Sequence, residues 1–257
     1  HYGTRQGQWT TVDPLWPSER AYGYSEARPT TFFDPSGLMM SQFSCKGCEP
    51  SYEVKPGPGG TTGVVVGVPK PGSKGTPVLS GAECQKLAQK YFPGRNCHCV
   101  NGGFFYRGQP MGPLDAVNCD RVNGIDPPGV KDVSFPLPVV AAGNNGFVTG
   151  LIGTPPSPLP SPDPDKGSPG RTAACVSIPS LEVMAIYVTT GCGAADFFNC
   201  ITSRCNGMII WLDGGGSSQI HPPAGKGKPI YGNASGTGEP DERNVDNWFV
   251  ICDGVQK

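Results

Sequence analysis

Short apolar runs, separated by glycine, proline and polar residues, recur along most of the chain. Runs of this length that are bounded by turn residues are typical of buried strands. Pro179 and Ser180 predict a tight turn between two of these runs. The runs that predict strands are 64–66, Arg171–Ile178, Leu181–Thr189, Met208–Leu212 and Trp248–Cys252.

Two segments instead predict helices. Ser80–Glu83 has the form of a capping box, in which a serine and a glutamate bond each other's backbone amides at a helix start. Phe92–Gly94 ends that helix, because proline and glycine do not continue it. A shorter helix is predicted over Ala194–Cys205, with Asn206–Gly207 as its C-cap. The predicted fold class is therefore α+β, a mixed, mainly β-sheet domain with about two helices.

Composition narrows the class of protein further. Glycine and proline number 38 and 29 of 257 residues, which excludes a helical bundle because both residues disrupt helices. The formal net charge is -1 and no basic cluster stands out, so we expect no nucleic-acid partner. No apolar stretch approaches the roughly 18 residues that span a bilayer. We therefore expect a loop-rich, folded protein without a membrane span.

The chain contains 11 cysteines, none before position 45. This density is common in exported proteins, where disulfides persist, and it predicts a disulfide-stapled protein that is secreted or displayed at a cell surface. Zinc binding and free buried thiols are the alternatives. However, Cys45–Cys48 is a lone CxxC, and Cys97 and Cys99 are too close together for one ordinary zinc site. We expect no metal and no cofactor, and the sequence leaves the pairing open.

The segment Met208–Ser218 joins a predicted buried strand to a glycine-rich turn. Asp213 ends the strand, a position at which sheets commonly place functional groups. Glycine lets the backbone approach a ligand closely, and consecutive bare amides suit an anion such as phosphate. The candidate binding residues of the turn are Gly214, Gly215, Gly216, Ser217 and Ser218. Taken alone, an Asp-Gly-Gly sequence is more often a tight turn that the aspartate caps.

Three further polar elements have a similar character. Asn101, Gly102 and Gly103 follow a cysteine-rich stretch, Arg171 opens a predicted strand, and Arg243 and Asn247 precede the last strand. Arginine binds phosphate through two parallel hydrogen bonds. Each element alone is more often a hairpin turn or a surface charge.

Together, and in this order, these elements resemble the phosphodiester glycosidase family. The family pattern has an NGGFF element, an RTA element that opens a strand, an LDGGGSS element and an R-V-N element before the last strand. In this chain they are 101–105, 171–173, 212–218 and 243–247, and the match covers residues 60–252. The chain departs from the family at Ala174–Cys175, where a glycine is expected, and in a proline-rich insertion at 153–170.

The resemblance implies hydrolysis of a sugar-1-phosphodiester, a reaction with an oxocarbenium-like transition state. In this reading Asp213 activates water or stabilises the sugar cation, and Arg171 and Arg243 clamp the phosphate. The glycines at 102–103 and 214–216 provide amides and close approach. The remaining implied substrate-orienting residues are Asn101, Ser217, Ser218 and Asn247.

The sequence does not identify a second catalytic carboxylate. Glu182, Asp120 and Asp246 are its candidates. His98 and His221 are the histidines that could approach a site, and we expect them to be bystanders.

Residues 2–38 resemble the end of an Rhs-repeat-associated core, a large β-shell that encloses a C-terminal effector. That family ends in two Asp-Pro elements and often cleaves itself after the leucine of DPxGL. The matching residues are Asp13 and Asp34, with cleavage between Leu38 and Met39. Two aspartates can serve one peptide bond as acid and base, although both also fit β-turns. Trp16 and Arg28–Pro29 depart from the family pattern.

The two resemblances imply two domains, 1–38 as the tail of an Rhs-type core and 39–257 as a phosphodiester-glycosidase-like domain. The whole would be an exported hydrolase, either a polymorphic toxin or a surface enzyme. Its partners would be a glycan or glycoconjugate phosphodiester, the upstream Rhs shell and an immunity protein. The first alternative is a non-catalytic carbohydrate-binding or structural module of a surface fibre. The second is a cysteine- or metal-dependent effector.

Overall fold

The computed structural model describes residues 2–3, 8–9, 39–48, 50–67, 79–106, 108–125, 139–152, 169–234 and 242–254. The chain divides into two compact units, His1–Pro35 and Ser36–Lys257. In the first unit, β1 (Tyr2–Gly3) pairs antiparallel with β2 (Gln8–Trp9). The predicted autoproteolysis residues Asp13, Asp34 and Leu38 lie outside the described residues, as does 153–168 of the proline-rich insertion.

The second unit contains the helices α1 (Gly81–Tyr91) and α2 (Ala194–Thr202) and a series of mostly short strands. In chain order the strands are β3 (Met39–Phe43), β4 (Ser51–Lys55), β5 (Thr61–Val66), β6 (Cys97–Asn101), β7 (Phe105–Tyr106), β8 (Gln109–Pro110), β9 (Leu114–Ala116), β10 (Cys119–Val122), β11 (Val139–Ala141), β12 (Gly146–Thr149), β13 (Leu151–Ile152), β14 (Arg171–Val176), β15 (Val183–Thr189), β16 (Met208–Trp211), β17 (Gln219–His221), β18 (Ile230–Tyr231) and β19 (Asn247–Cys252).

Two antiparallel sheets form the centre of this unit. The six-stranded sheet has the order β13-β16-β14-β15-β4-β3, and the five-stranded sheet has the order β18-β17-β6-β19-β5. One buried apolar cluster contains Ala174 and Ile186 from the first sheet and Val100 and Phe249 from the second. The two sheets therefore pack face to face. Smaller pieces are the four-stranded sheet β10-β9-β12-β11 and the hairpin β7-β8.

Each central sheet is covered on its outer face by one helix. Cys84 and Ala88 of α1 pack with Trp248 of β19, while Phe197 of α2 packs with Trp211 of β16. Side chains alternate across a strand, so Trp248 faces α1 and its neighbour Phe249 faces the other sheet. The layers are helix, sheet, sheet and helix. This arrangement confirms the predicted mainly β, α+β class with two helices in the described residues.

The first helix begins and ends where the sequence predicted. The Ser80 Oγ accepts a hydrogen bond from the Glu83 N–H at 3.2 Å, and Glu83 Oε2 accepts one from the Ser80 N–H at 2.8 Å. The predicted end of the second helix was wrong, because α2 ends at Thr202 with Ser203 as its C-cap. The Ser203 hydroxyl donates to the Cys200 carbonyl at 2.9 Å, which satisfies a terminal carbonyl before Asn206 is reached.

The predicted strand Arg171–Ile178 and the predicted strand Leu181–Thr189 are both present but shorter. They are β14 and β15, joined by a turn in which the Leu181 N–H donates to the Ser177 carbonyl at 2.9 Å. Their antiparallel pairing places Arg171 opposite Thr189 at one end of the hairpin. The predicted turn consisted of Pro179 and Ser180, whereas the observed connection runs from residue 177 to residue 182.

Five disulfides confirm the prediction from cysteine density. Three lie on the α2 side, namely Cys45–Cys200, Cys48–Cys192 and Cys175–Cys205, and two lie on the α1 side, namely Cys84–Cys99 and Cys97–Cys252. Cys119 is the remaining cysteine and is unpaired. Within the described ranges, no group of three or more His, Cys, Asp or Glu side chains could hold a metal ion. In the same ranges, neither helix is long and apolar enough to cross a membrane.

Candidate active site

The glycine-rich turn after β16 lies directly against the end of β6. The Asp213 N–H donates to the Gly102 carbonyl at 3.2 Å. The Asn101 side-chain amide donates to the Asp213 carbonyl at 2.8 Å. Two elements that the sequence separates by about a hundred residues therefore meet at one point, where the two central sheets adjoin.

Asn101 connects three strands rather than facing solvent. Its side chain is fully buried. Its Oδ1 accepts hydrogen bonds from the Thr172 hydroxyl and the Gln219 N–H, both at 3.0 Å, while its Nδ2 is used by Asp213. Both ends of the amide are thus occupied, which makes Asn101 a positioning residue in this structure, not a group free to orient a substrate.

Asn247 holds the other glycine of the same loop. Its Oδ1 accepts a hydrogen bond from the Gly103 N–H at 2.7 Å, and its own carbonyl accepts one from the Gly102 N–H at 3.0 Å. A Cβ on Gly102 would lie 2.0 Å from Asn247 Oδ1, and a Cβ on Gly103 would lie 2.5 Å from the Thr149 carbonyl oxygen. The two glycines are therefore required by packing, and their amides are bonded inside the chain.

The glycine turn itself is a short 3₁₀ segment, Gly215–Ser217. Gly215 has a φ of +63°, which favours glycine, and its N–H donates to the Gly170 carbonyl at 2.8 Å. The Ser217 and Ser218 amides donate to the Gly214 and Gly215 carbonyls at 3.2 and 3.1 Å. These amides are satisfied within the chain, so the turn differs from the expected array of bare amides open to phosphate.

The serines of the turn have separate partners. The Ser217 hydroxyl hydrogen-bonds the Asp213 carboxylate. The Ser218 hydroxyl is fully buried and lies 3.0 Å from the Thr172 hydroxyl, to which it donates because the Thr172 hydrogen is used by Asn101. Thr172 consequently bonds both Asn101 and Ser218. Ser218 therefore attaches the turn to β14 through Thr172, while Ser217 bonds the Asp213 carboxylate.

Asp213 as a whole residue is half-buried, but its carboxyl group is enclosed by protein atoms and has an unusual acidity. Burial raises the pKa of Asp213 to about 6, against the lowering effects of the Ser217 hydroxyl, the Gly214 amide and the positive charge of Arg243. A carboxyl group that titrates near neutrality can both accept and return a proton at physiological pH. This is the property that acid–base catalysis requires.

Arg171 is placed beside Asp213 by strand register. Ala173 pairs with Trp211, and the Leu212 N–H donates to the Thr172 carbonyl at 3.0 Å, so the next opposed pair is Arg171 and Asp213. Opposed residues share a face of the sheet. The Arg171 Nε donates to the Cys192 carbonyl at 3.1 Å, and burial lowers the pKa of Arg171. Among the described residues, the terminal guanidinium nitrogens have no hydrogen-bond partner.

Arg243 reaches the same turn from the segment before β19. Its Cδ lies 3.7 Å from the position of a Cβ on Gly216, and its charge lowers the pKa of Asp213. The Arg243 side chain is exposed, but its carbonyl accepts a 2.5 Å hydrogen bond from the Gln219 side-chain amide. The positive charge of Arg243 therefore acts on the Asp213 carboxylate, whereas Arg171 is related to Asp213 by strand register.

The three candidates for a second carboxylate differ in location. Asp246 is buried, and burial raises the pKa of Asp246 to about 6. The Asn247 side-chain amide, which also contacts Gly103, lies 3.5 Å from Asp246 Oδ2. Asp120 is exposed on β10. Glu182 lines a separate surface cavity of about 430 Å³ with Thr61 and Asn145. Of the three, Asp246 is the one connected to the loop at Gly103.

The two histidines serve the packing of the fold. The His221 ring lies edge-on to Trp248, with ring centroids 5.3 Å apart, and a Cβ on Gly81 would collide with it. His98 is buried among strands, and burial lowers the pKa of His98 to about 4. Neither ring bonds Asp213 or Asn101.

Sequence reasoning did not identify Thr172 and Gln219, which hold Asn101 in place. A usable signal existed for each. Thr172 is a polar residue directly before the apolar run 173–176, and Gln219 is a polar residue beside the buried Ile220. Buried polar groups require partners, so such positions mark internal hydrogen-bond networks.

Comparisons with known proteins add distant structural likeness. No protein-family model matches the chain, and no curated protein sequence matches it. The fold is similar to a solved hypothetical protein from Synechocystis, with 12% sequence identity and a TM-score of 0.46. That likeness covers 84% of this chain, which spans 61% of the length of the Synechocystis chain. A likeness at this level carries no functional argument.

Proposed function

We propose that this protein hydrolyses sugar-1-phosphodiesters, with Asp213 as the catalytic carboxylate and Arg171 and Arg243 as the phosphate-binding groups. The single observation that supports the proposal is the continuous hydrogen-bond network around Asp213. It joins the first three elements of the family pattern through Asn101, Thr172 and the glycine turn, and it joins the fourth through the bonds of Asn247 to Gly102 and Gly103. Four functionally unrelated segments would not be expected to share one hydrogen-bond network.

The chemistry follows from the charges at this point. Asp213, with a pKa raised to about 6, is largely ionised at neutral pH and takes a proton from the attacking water. The water oxygen bonds the anomeric carbon as the bond from that carbon to the phosphate oxygen breaks. The electron pair leaves with the phosphate monoester, whose negative charge the two guanidinium groups stabilise. A leaving group that is already anionic does not require a strong general acid.

The biological setting is part of the same proposal. Five disulfides are compatible with a secreted or surface protein. The resemblance of residues 2–38 to an Rhs core supports an effector or surface enzyme carried at the C-terminal side of a larger shell. A glycan phosphodiester is then the substrate, and an immunity protein would protect the producing cell if the effector is a toxin.

The test compares wild type with Asp213→Asn on a panel of sugar-1-phosphodiesters, with release of free sugar as the measurement. Asp120→Asn, which removes an exposed carboxylate on β10, is the matched control. We expect turnover in wild type and the control and its loss in Asp213→Asn, with an unchanged circular-dichroism spectrum. Binding without turnover in wild type would instead favour the non-catalytic carbohydrate-binding module. The absence of both binding and turnover on every member of the panel would refute the proposal.

A further inference from the structure

Arg171 is tethered at one nitrogen to a cysteine that is itself held by a disulfide. The Arg171 Nε donates to the Cys192 carbonyl at 3.1 Å, and Cys192 is bonded to Cys48. The Cys192 N–H donates to the Pro169 carbonyl at 3.0 Å. Cys192 therefore bonds residues on both sides of Gly170. Its amide bonds the Pro169 carbonyl, and its carbonyl bonds the Arg171 side chain.

Cys48 is anchored as firmly as Cys192. Both cysteines are fully buried. The Cys48 carbonyl accepts hydrogen bonds from the Thr189 hydroxyl at 3.1 Å and from the Ser51 hydroxyl. Thr189 lies at the end of β15 and Ser51 at the start of β4. The disulfide thus fixes the Cys192 carbonyl relative to two neighbouring strands of the six-stranded sheet.

This tether determines which part of the guanidinium remains available. An arginine side chain has many rotamers, and holding its Nε removes most of that freedom before any ligand binds. Bidentate recognition of a phosphate uses the planar fork of guanidinium N–H groups. With Nε bonded to Cys192, the terminal nitrogens remain for an anion next to Asp213, which lies opposite Arg171 in the strand register.

We propose that the Cys48–Cys192 disulfide is a positioning element for Arg171, which presents the guanidinium fork to the phosphate of the substrate. The inference rests on the proposed function for the nature of the ligand, a phosphodiester anion, but not for the tether itself. Loss of the disulfide frees the Cys192 carbonyl, and Arg171 then binds phosphate with a larger entropic cost. We expect weaker phosphate binding with a smaller effect on the turnover of bound substrate.

The chain offers a matched control in the Cys175–Cys205 disulfide. That bond also joins the six-stranded sheet to the α2 region, but it attaches near the opposite end of β14 from Arg171. Its removal tests whether any disulfide on this face has the same effect. Arg171→Lys, which keeps the charge but removes Nε, is the reference for loss of the tether.

The first measurement is a ¹⁵N NMR spectrum of the arginine Nε–Hε groups in wild type, Cys48→Ala/Cys192→Ala, Cys175→Ala/Cys205→Ala and Arg171→Lys. Arg171→Lys assigns the Arg171 signal by its absence. We expect this signal to be protected from solvent exchange in wild type and in the Cys175/Cys205 variant, and to lose protection in the Cys48/Cys192 variant. Unchanged protection in the Cys48/Cys192 variant would overturn the inference.

The second measurement is the affinity for inorganic phosphate, together with KM and kcat for any phosphodiester that wild type hydrolyses. We expect about a tenfold weaker affinity and a matching rise in KM for the Cys48/Cys192 variant. Equal losses in both disulfide variants would show a merely structural role and overturn the proposal. If wild type hydrolyses nothing, the proposed function fails, while Nε protection and phosphate affinity still decide this inference.

A further variant keeps both cysteines, so that the inference can be tested even if the Cys48/Cys192 variant does not fold. Thr189→Val removes the hydroxyl that bonds the Cys48 carbonyl while it preserves the disulfide and the approximate side-chain shape. We expect a smaller loss of phosphate affinity in the same direction, with faster exchange of the Arg171 Nε–Hε. A folded Thr189→Val protein with wild-type values for both would count against the tether.

Discussion

The side-chain amide of Asn101 donates a 2.8 Å hydrogen bond to the backbone carbonyl of Asp213, across 112 residues of sequence. The bond fixes the main chain of Asp213 at the point where the chain leaves β16 for the glycine turn. Because the Asn101 oxygen is held by Thr172 and Gln219, the main chain of Asp213 is attached to three strands from two sheets. A rigid support of this kind holds a catalytic group in place without touching the substrate.

Substitution Asn101→Ala should destabilise the protein substantially. It leaves the Gln219 N–H and the Asp213 carbonyl without their side-chain partner, and the Thr172 hydroxyl keeps only its hydrogen bond with Ser218. Each unsatisfied buried group costs about 1–3 kcal/mol, so we expect a loss of about 3 kcal/mol in the free energy of unfolding after partial relaxation. Urea denaturation followed by tryptophan fluorescence measures it. Asn144→Ala, at an exposed position, is the control and should change stability by less than about 0.5 kcal/mol. Similar values for both variants would contradict the role given to Asn101.

The acidity of Asp213 predicts the acid side of the activity profile. Activity on a sugar phosphodiester should rise as pH increases through about 6, because the pKa of Asp213 is raised to about 6 and the ionised form accepts the proton. Initial rates between pH 4 and 8 test this expectation.

Asp246 provides the control, because burial also raises the pKa of Asp246 to about 6. Asp246→Asn should retain an ionisation near pH 6 in the profile, whereas any residual activity of Asp213→Asn should not show it. A profile whose acid limb disappears in Asp246→Asn would transfer the catalytic role to Asp246.

His98 predicts an acid-labile fold. Burial lowers the pKa of His98 to about 4, below its ordinary value of 6.5, so the unfolded chain binds a proton more tightly than the folded one. Stability from this group is therefore complete above about pH 6.5 and is lost as pH falls toward 4. Asp213 and Asp246 act in the opposite sense, because their raised pKa values favour the folded state as pH falls through the same range.

Substitution His98→Gln should isolate the histidine contribution. Between pH 7 and 4.5 the wild type should lose about 2 kcal/mol more stability than the variant. Urea midpoints at several pH values measure the difference. Parallel pH curves for wild type and His98→Gln would show that His98 is not the acid-sensitive group.

Local sequence rules predicted the start and end of α1 and the central strands β5, β14, β15, β16 and β19, while the hydrogen bonds that support the site depended on topology. Ser80 and Glu83 specify the start of α1 within four residues, because a capping box is a local interaction. The Cys48–Cys192 pair spans 144 residues, and only the order of strands in the sheet brings it together. Asn101 could be identified as polar and glycine-flanked, but its burial follows from β6 meeting the end of β14. Whether a polar side chain faces a ligand or a neighbouring strand is therefore a property of the packed sheets.

Substitution Gly102→Ala tests whether the loop after β6 needs glycine for packing. An added Cβ would lie 2.0 Å from Asn247 Oδ1 and 3.1 Å from the Asn247 carbonyl oxygen, so Asn247 must move and release the Gly103 N–H. We expect a loss of about 2–3 kcal/mol in the free energy of unfolding, from overpacking plus one broken buried hydrogen bond. Gly214→Ala is the control for stability, because its Cβ meets only the Gly170 carbonyl oxygen at 3.2 Å and its φ is -124°. Thermal unfolding of the two variants tests this expectation. A Gly102→Ala protein as stable as Gly214→Ala would mean that Asn247 moves without cost, and packing would then not explain why glycine stands at position 102 beside Asp213.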